Sequence, residues 1–340
     1  MTRFGYTLMT EQAGPKRLVE YAVRGERAGF DFEVMSDHYF PWLDAQGHSP
    51  YAWSVLGAVA HATERVGLMT YVTCPTLRYH PAVVAQKAAT VGLLSDGRFT
   101  LGLGAGENLN EHVVGAGWPA VDERHELLAE AVEIISVLFS GDLVSYRGDH
   151  FQVDSARLWD LPDEPVDIGV AVSGRQSVEH FAPLADHLVA TEPKAGLVER
   201  WDAVREDAAL PPSRKIGQMP ISWDPDRDAA IARAHEQFRW FGLGWPVNAN
   251  LPTTEAFDRA TAFVRPEDVA DSIPCGPDLD AVVEAASAYW EAGFTDLALV
   301  QIGDERQGQF LDEAAGPLLE RLRSAAPGDV EGGVEGGVEP

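Results

Sequence analysis

The chain has 340 residues, 45% of them hydrophobic, and sets 53 acidic residues against 26 basic ones for a formal net charge of -27. Nucleic acid and anionic membrane surfaces need positive potential, so this charge argues against both as partners while saying little about fold. Two cysteines, Cys74 and Cys275, are too few for a disulfide framework and suit a reducing cytosol. No metal-ligand spacing is present, no stretch is long enough to span a bilayer, and MTRFGYTLMTEQ lacks the apolar run of a secretory leader, so a cytoplasmic protein without metal is expected.

Short apolar strands alternate with helical patterns along the chain. A first strand is predicted over Phe4 to Leu8, and a helix from Pro15, whose fixed φ suits the first helical position, to Gly29. A second strand runs from Asp31 to Ser36, and Ser49 caps a helix that begins at Pro50. The third strand, Val66 to Thr73, leads to a helix opening on Pro81. The fourth, Arg98 to Gly104, leads through GLGAGE to a helix over Glu123 to Phe139 with apolar residues at helical spacing.

A hairpin near Tyr146 to Val153 interrupts the alternation before strand five, Val166 to Val172, strand six, Asp186 to Ala190, and strand seven, Lys215 to Trp223. Residues 238–274, rich in Pro, Asn and Trp, read as an insertion with short helices. A helix from Pro277 to Glu291, strand eight from Leu297 to Ile302 and a closing helix from Phe310 to Arg323 complete the count. Eight β/α units imply an α/β protein with a parallel sheet, a (β/α)8 TIM barrel with insertions spanning residues 1–325. The Gly/Val/Glu repeat of residues 326–340 cannot bury a core and reads as a disordered tail.

A barrel of this kind builds its site at the C-terminal ends of its strands, where the chemistry-bearing residues fall. In SDHYFPW, Asp37 and His38 close strand two, with the Trp42 indole near enough to wall a dry pocket. Histidine exchanges protons near neutral pH, although a capping aspartate beside a hydrogen-bonded histidine would read the same way. In GLGAGENLNE, glycines let backbone approach a ligand, and Glu107 and Asn110 follow. The absence of a basic residue there disfavours a nucleotide-phosphate loop, and a tight turn is the plainer alternative. Two proton-exchanging groups, His38 and Glu107, facing one cavity suit redox chemistry.

Tyr71, Val72 and Cys74 of TYVTCPTLRYHPAVVAQ face the rim; Cys74 has no histidine nearby in sequence and reads as packing or ligand wall rather than nucleophile. VSGRQS opens a short helix whose amides could meet a phosphate, or is an ordinary strand-to-helix turn. Thr191 and Lys194, just past strand six, offer an anion contact or a solvated helix start.

Taken together, SDHYFPW, CPTLRYHPAVVAQ, GLGAGENLNE, the SYRGDHFQV hairpin and VSGRQS are similar to motifs of the luciferase-like superfamily of flavin and deazaflavin enzymes. They resemble more closely its branch that uses coenzyme F420, of the F420-dependent glucose-6-phosphate dehydrogenase type. The resemblance implies a luciferase-like TIM barrel, a homodimer, and a deazaflavin lying across the C-terminal rim. It places Asp37, Cys74, Ala105, Gly106, Asn110, Ser173, Gly174, Gln176 and Ser177 on the coenzyme and its phosphate. It also puts a non-prolyl cis peptide at Tyr71-Val72, propping the ring, and makes His38 and Glu107 the acid/base pair, with Trp42 covering the reacting face.

The implied reaction moves a hydride between F420 and a small organic substrate such as a sugar phosphate or an alcohol. Thr191 and Lys194 match part of a substrate-phosphate grip. Its second lysine falls in PEDVADS, where Asp271 stands, and Arg306 aligns loosely with its arginine; a carboxylate there repels a phosphate, which speaks against glucose 6-phosphate. An FMN-dependent monooxygenase, a reductase of an unsaturated substrate driven by reduced F420, and a barrel that binds the ring without turnover are the other readings.

Overall fold

The computed structural model describes residues 2–328. Eight parallel strands close into a barrel: β1 (Arg3–Leu8), β2 (Phe32–Met35), β3 (Gly67–Thr70) and β4 (Phe99–Leu103) are followed, after the antiparallel hairpin β5 (Val144–Arg147) and β6 (Gln152–Ala156), by β7 (Ile168–Ala171), β8 (His187–Ala190), β9 (Lys215–Ile221) and β10 (Asp296–Gln301). Barrel strands covered on both faces are buried throughout rather than alternating, and β2, β8 and β10 are buried at every residue, their few polar side chains (Glu33, His187, Asp296 and Gln301) included. Inside the barrel Phe32, Val34, Met69, Val189, Ile216 and Ala298 form one apolar cluster. The outward faces meet the helices in the main core, which includes Phe4, Tyr6, Leu18, Leu101 and Leu299.

Several helix boundaries differ from the sequence reading. The helix expected from Pro50 is Ala52–Ala62, because the Ser49 hydroxyl donates to the His38 carbonyl at 2.8 Å and caps nothing. The helix expected from Glu123 begins two residues earlier, as Val121–Leu138, so Asp122 and Glu123 lie in its first turn, where the helix dipole favours them. The helix expected from Pro277 is Leu279–Glu291, since the Asp278 carboxylate caps it by accepting from the amides of Asp280 and Ala281. The closing segment opens as a separate turn of helix, Asp304–Gln309, passes through a wide π turn at Phe310–Ala314, and ends as Ala315–Ala325.

Residues 238–274, expected as an insertion, belong to the stretch between β9 and the helix Leu279–Glu291. After Arg227–Phe238 it winds through a 3-10 turn, Arg239–Leu243, and three short helices, Trp245–Asn248, Thr254–Ala260 and Pro266–Ala270. It has its own apolar cluster, in which Phe238, Trp240, Phe257, Val269 and Ile273 pack with Met9, Trp42, Leu43 and Ile302. It therefore roofs one side of the C-terminal rim. Of residues 326–340, read as a tail, only Ala326, Pro327 and Gly328 are described; the Gly/Val/Glu repeat lies outside the described residues. Among the described residues no helix is long and apolar enough to cross a membrane.

Candidate active site

β2 ends at Met35, and Ser36-Asp37-His38 carry the chain onto the rim. His38, 9% exposed, stands between two carboxylates. Its Nδ1 lies 3.2 Å from Glu11 Oε1 and 3.2 Å from the Phe40 carbonyl, and its Nε2 lies 3.5 Å from Glu107 Oε2. Glu11, 1% exposed on the turn after β1, accepts at its other oxygen from the Ser36 and Thr10 hydroxyls. One ring nitrogen of the imidazole is thus held from inside the protein while the other faces Glu107. The Trp42 indole lies 5.0 Å from the imidazole, and Trp240 of the insertion stacks on Trp42 at 4.2 Å with the planes 11° apart.

Asn110 ties the two halves of this pair together. Its Nδ2 donates to Glu107 Oε2 at 2.8 Å, and its Oδ1 accepts from the amides of Tyr39 at 2.8 Å and Phe40 at 3.2 Å. Expected on the coenzyme, its amide instead braces Glu107 against the loop that bears His38. Asp37 differs in the same way. Its carboxylate, 3% exposed, accepts from Trp53 Nε1 and Thr73 Oγ1 at one oxygen and from Arg78 and Tyr79 at the other. With four protein donors on two oxygens it anchors the end of β2 rather than offering a free acceptor.

Two residues inside quoted motifs were not singled out in the sequence and turn out to organise the site floor. Arg78 donates to the Asp37 carbonyl and carboxylate, and its Nε and main-chain amide go to the two oxygens of Glu111 at 3.3 and 2.8 Å. Burial pushes the Glu111 carboxyl up to about 7 against the pull of Arg78. Glu11 was missed as well. A lone glutamate in MTEQ carries no local signal, and its partner lies in the next β/α unit.

Tyr71 and Val72 stand at the barrel mouth with Ala171, and the peptide joining them is cis. The Tyr71 hydroxyl crosses the mouth to donate to the Ala190 carbonyl at 3.0 Å. Burial pushes the Cys74 thiol well above its usual range, and its sulfur lies 3.0 Å from Thr76 Oγ1, so Cys74 is a packed neutral thiol. Gly106, at φ 82°, lies against it: a Cβ there would come within 2.6 Å of the sulfur. Its neighbour Ala105 packs partly buried on the main core. Arg124, 5% exposed, sits over Trp118 and donates to the Gly106 carbonyl at 3.4 Å, and its Nε has no partner among the described residues.

Ser177 Oγ accepts from the amides of Ser173 and Gly174 at 3.2 Å each, closing the VSGRQS turn, while Gln176 points outward to Asp122. A cleft of about 450 Å³ opens beside that turn and takes in Lys194, so Lys194 groups with Ser173 and Gly174 and not with Thr191, which is exposed. Lys194 is ion-paired to Glu192, and Arg306 Nε lies 2.8 Å from Asp224 Oδ2. Asp271 is exposed on the insertion. Among the described residues no group of three or more His, Cys, Asp or Glu side chains is placed to hold a metal ion.

A closed parallel barrel whose proton-exchanging groups and anion-sized cleft share the C-terminal rim defines a TIM-barrel enzyme. Residues 1–296 match the model of the luciferase-like monooxygenase family, and the chain belongs to that family. It is 37% identical over 345 residues to an F420-dependent glucose-6-phosphate dehydrogenase of Beutenbergia cavernae, covering 95% of this chain and 98% of the relative. It is 33% identical over 337 residues to a protein of the same name from Amycolatopsis mediterranei, covering 95% and 99%. Among solved structures, an F420-dependent secondary alcohol dehydrogenase in complex with an F420-acetone adduct matches with a TM-score of 0.87 at 27% identity, covering 95% of this chain and 99% of that one.

Proposed function

We propose that this protein is an F420-dependent dehydrogenase that moves a hydride between the deazaflavin and the carbinol carbon of a small uncharged alcohol. The observation that carries the reading is His38, fixed between Glu11 and Glu107 beneath the stacked Trp42–Trp240 wall. The residues fit the coenzyme. The orphaned Nε of Arg124 puts a buried cation with an unpaired donor beside Gly106, and the cleft at Ser173 and Gly174 has room for a phosphate group. Tyr71, Val72 and Cys74 would floor the ring, Ala105 and Gly106 would flank it, and Ser173, Gly174 and Ser177 would meet the phosphate, with Gln176 at its edge. Asp37 and Asn110 would act from behind by holding the loops.

Bound F420 supplies a ring carbon that accepts or returns a hydride. The protein supplies the proton chemistry. Glu11 accepts from Nδ1 and so leaves the Nε2 lone pair facing the mouth, where it removes the proton of the substrate hydroxyl. Glu107, 3.5 Å away, relays that proton. In the reverse direction the same pair delivers it. Trp42 and Trp240 exclude water from the reacting face.

Substrate charge follows from the rim. Of the two cations offered for a substrate phosphate, Arg306 is held by the buried Asp224 carboxylate and Lys194 lies in the cleft with Ser173 and Gly174, while Asp271 stands exposed on the insertion where a second lysine was expected. A dianion in the mouth would face Glu11 and Glu107 without compensation. The names of the sequence relatives support a sugar phosphate as the second reading. Titrating the protein with F420 should give saturable fluorescence change at micromolar coenzyme, and secondary alcohols should bleach the deazaflavin absorbance faster than glucose 6-phosphate does. Absence of binding would end the F420 reading. Preference for the sugar phosphate would overturn the substrate class, and FMN retained through purification would favour a flavin enzyme. We place the protein in the cytoplasm, which its two free thiols support, and as a homodimer by family resemblance, to be read by light scattering.

A further inference from the structure

Lys87, half-buried on the helix Pro81–Leu94, has its ammonium enclosed by three aromatic rings. Nζ lies 3.3 Å from the ring centroid of Tyr79, 5.2 Å from that of Tyr51 and 5.5 Å from that of Trp53. The nitrogen is out of reach of water and has no hydrogen-bond acceptor among the described residues. We propose that Lys87 is a positioning residue for the proton transfer at His38, its charge acting through Tyr79 and Trp53 on Asp37; the inference rests on the dehydrogenase reading above.

The route runs through the polar edges of two of these rings. The Tyr79 hydroxyl donates to Asp37 Oδ1 at 3.2 Å, and Trp53 Nε1 donates to Asp37 Oδ2 at 3.1 Å. A cation over the face of a phenol or an indole draws electron density toward itself, so the O–H or N–H at the ring edge becomes a stronger donor. Lys87 therefore tightens two of the bonds on the carboxylate that anchors the end of β2, one residue before His38. With a neutral amine in its place, the hold on that carboxylate falls mainly to Thr73 and Arg78.

An ammonium without an acceptor is costly to bury, and a methionine would fill the same space among the rings without that cost. Burial pushes the Lys87 amine down to about 8, with Asp37 pulling it back up and Arg78 adding to the fall. Asp37, from the end of β2, and Arg78, from the turn before the helix, are the charged groups that act on it. The Tyr51 and Tyr79 hydroxyls, both pushed up by burial, stay neutral. The amine is thus charged at neutral pH and loses its charge as pH rises through about 8. Its ordinary value is 10.5, so between about 8 and 10.5 the unfolded chain holds a proton that the folded protein lacks. The stability penalty is therefore full below about pH 8 and fades as pH rises to 10.5.

The test joins Lys87→Met to NMR of lysines labelled at Cε, which are few enough to resolve: Lys16, Lys87, Lys194 and Lys215. In the wild type one signal, missing from the variant, should titrate at about pH 8 and the others at about pH 10. Wild-type kcat for alcohol oxidation with F420 should fall as pH rises through that same lower value. Lys87→Met should lower kcat at pH 7 by about fivefold to tenfold, remove the alkaline fall and leave KM for the alcohol unchanged. The variant should also unfold at a higher urea concentration at pH 7, a gain that fades toward about pH 10, so misfolding cannot account for its lost activity. A Lys87 signal titrating at about pH 10, an unchanged kcat, or a variant that loses stability together with activity would overturn the inference. Failure of the wild type to reduce F420 with any alcohol removes the dehydrogenase reading itself, and this inference with it.

Discussion

Glu33 lies in the middle of β2 with its side chain turned outward, against Gly25 of the first helix, and neither carboxylate oxygen has a partner among the described residues. Burial pushes this carboxyl well above the ordinary value of 4.5, with Glu26 adding to the shift and Arg98 opposing it. The folded protein therefore holds a proton there that the unfolded chain releases, so stability is fully present below about pH 4.5 and falls as pH rises toward the folded pKa. Keeping a carboxyl of ordinary pKa neutral at pH 7 costs about 1.4 kcal/mol for each of roughly 2.5 pH units, or about 3.5 kcal/mol. Glu33→Met fills the same space without a titrating group. Its advantage over wild type, from denaturant melts at several pH values between about 5 and 8, should grow by about 1.4 kcal/mol per unit and then level off. A difference that stays flat with pH would show that Glu33 is paired or solvated and would refute the reasoning.

Glu11→Gln keeps the side-chain volume but removes the charge behind His38, and we expect kcat to fall by roughly tenfold to a hundredfold with coenzyme affinity unchanged; an unchanged kcat would mean that Glu11 does not orient the imidazole. Arg78→Leu leaves Asp37 and Glu111 buried without their shared cation, a loss of about 3–5 kcal/mol by denaturation that Glu111→Leu in the same chain should partly restore. Trp240→Ala removes the indole stacked on Trp42 and should cost about 3 kcal/mol. It should also raise KM for the alcohol more than it changes F420 binding, and equal effects on both would place the coenzyme against that wall.

The alternation of apolar strands and helices in the chain was enough to define the barrel, because parallel strands covered on both faces are predominantly hydrophobic and must be joined by crossover helices. It was also enough to place Asp37, His38, Cys74, Glu107 and Ser173 on one rim, since that follows from chain direction once the barrel closes. Helix starts were less legible: whether Ser49 caps a helix or bonds the His38 carbonyl depends on where the neighbouring β/α unit lies.

Tertiary structure alone decided what each rim residue does. Asp37 and Asn110 sit in motifs that point at a ligand, yet their polar atoms are taken by Trp53, Thr73, Arg78 and Tyr79 in one case and by Glu107 and the Tyr39-Phe40 amides in the other. Glu11 reaches His38 across 27 positions of chain, and Trp240 reaches Trp42 across 198. Local sequence carries the propensity of a segment to form a strand or a helix. Which donor meets which acceptor is set only when distant segments are packed together, and that pairing separates a side chain that supports the site from one that faces it.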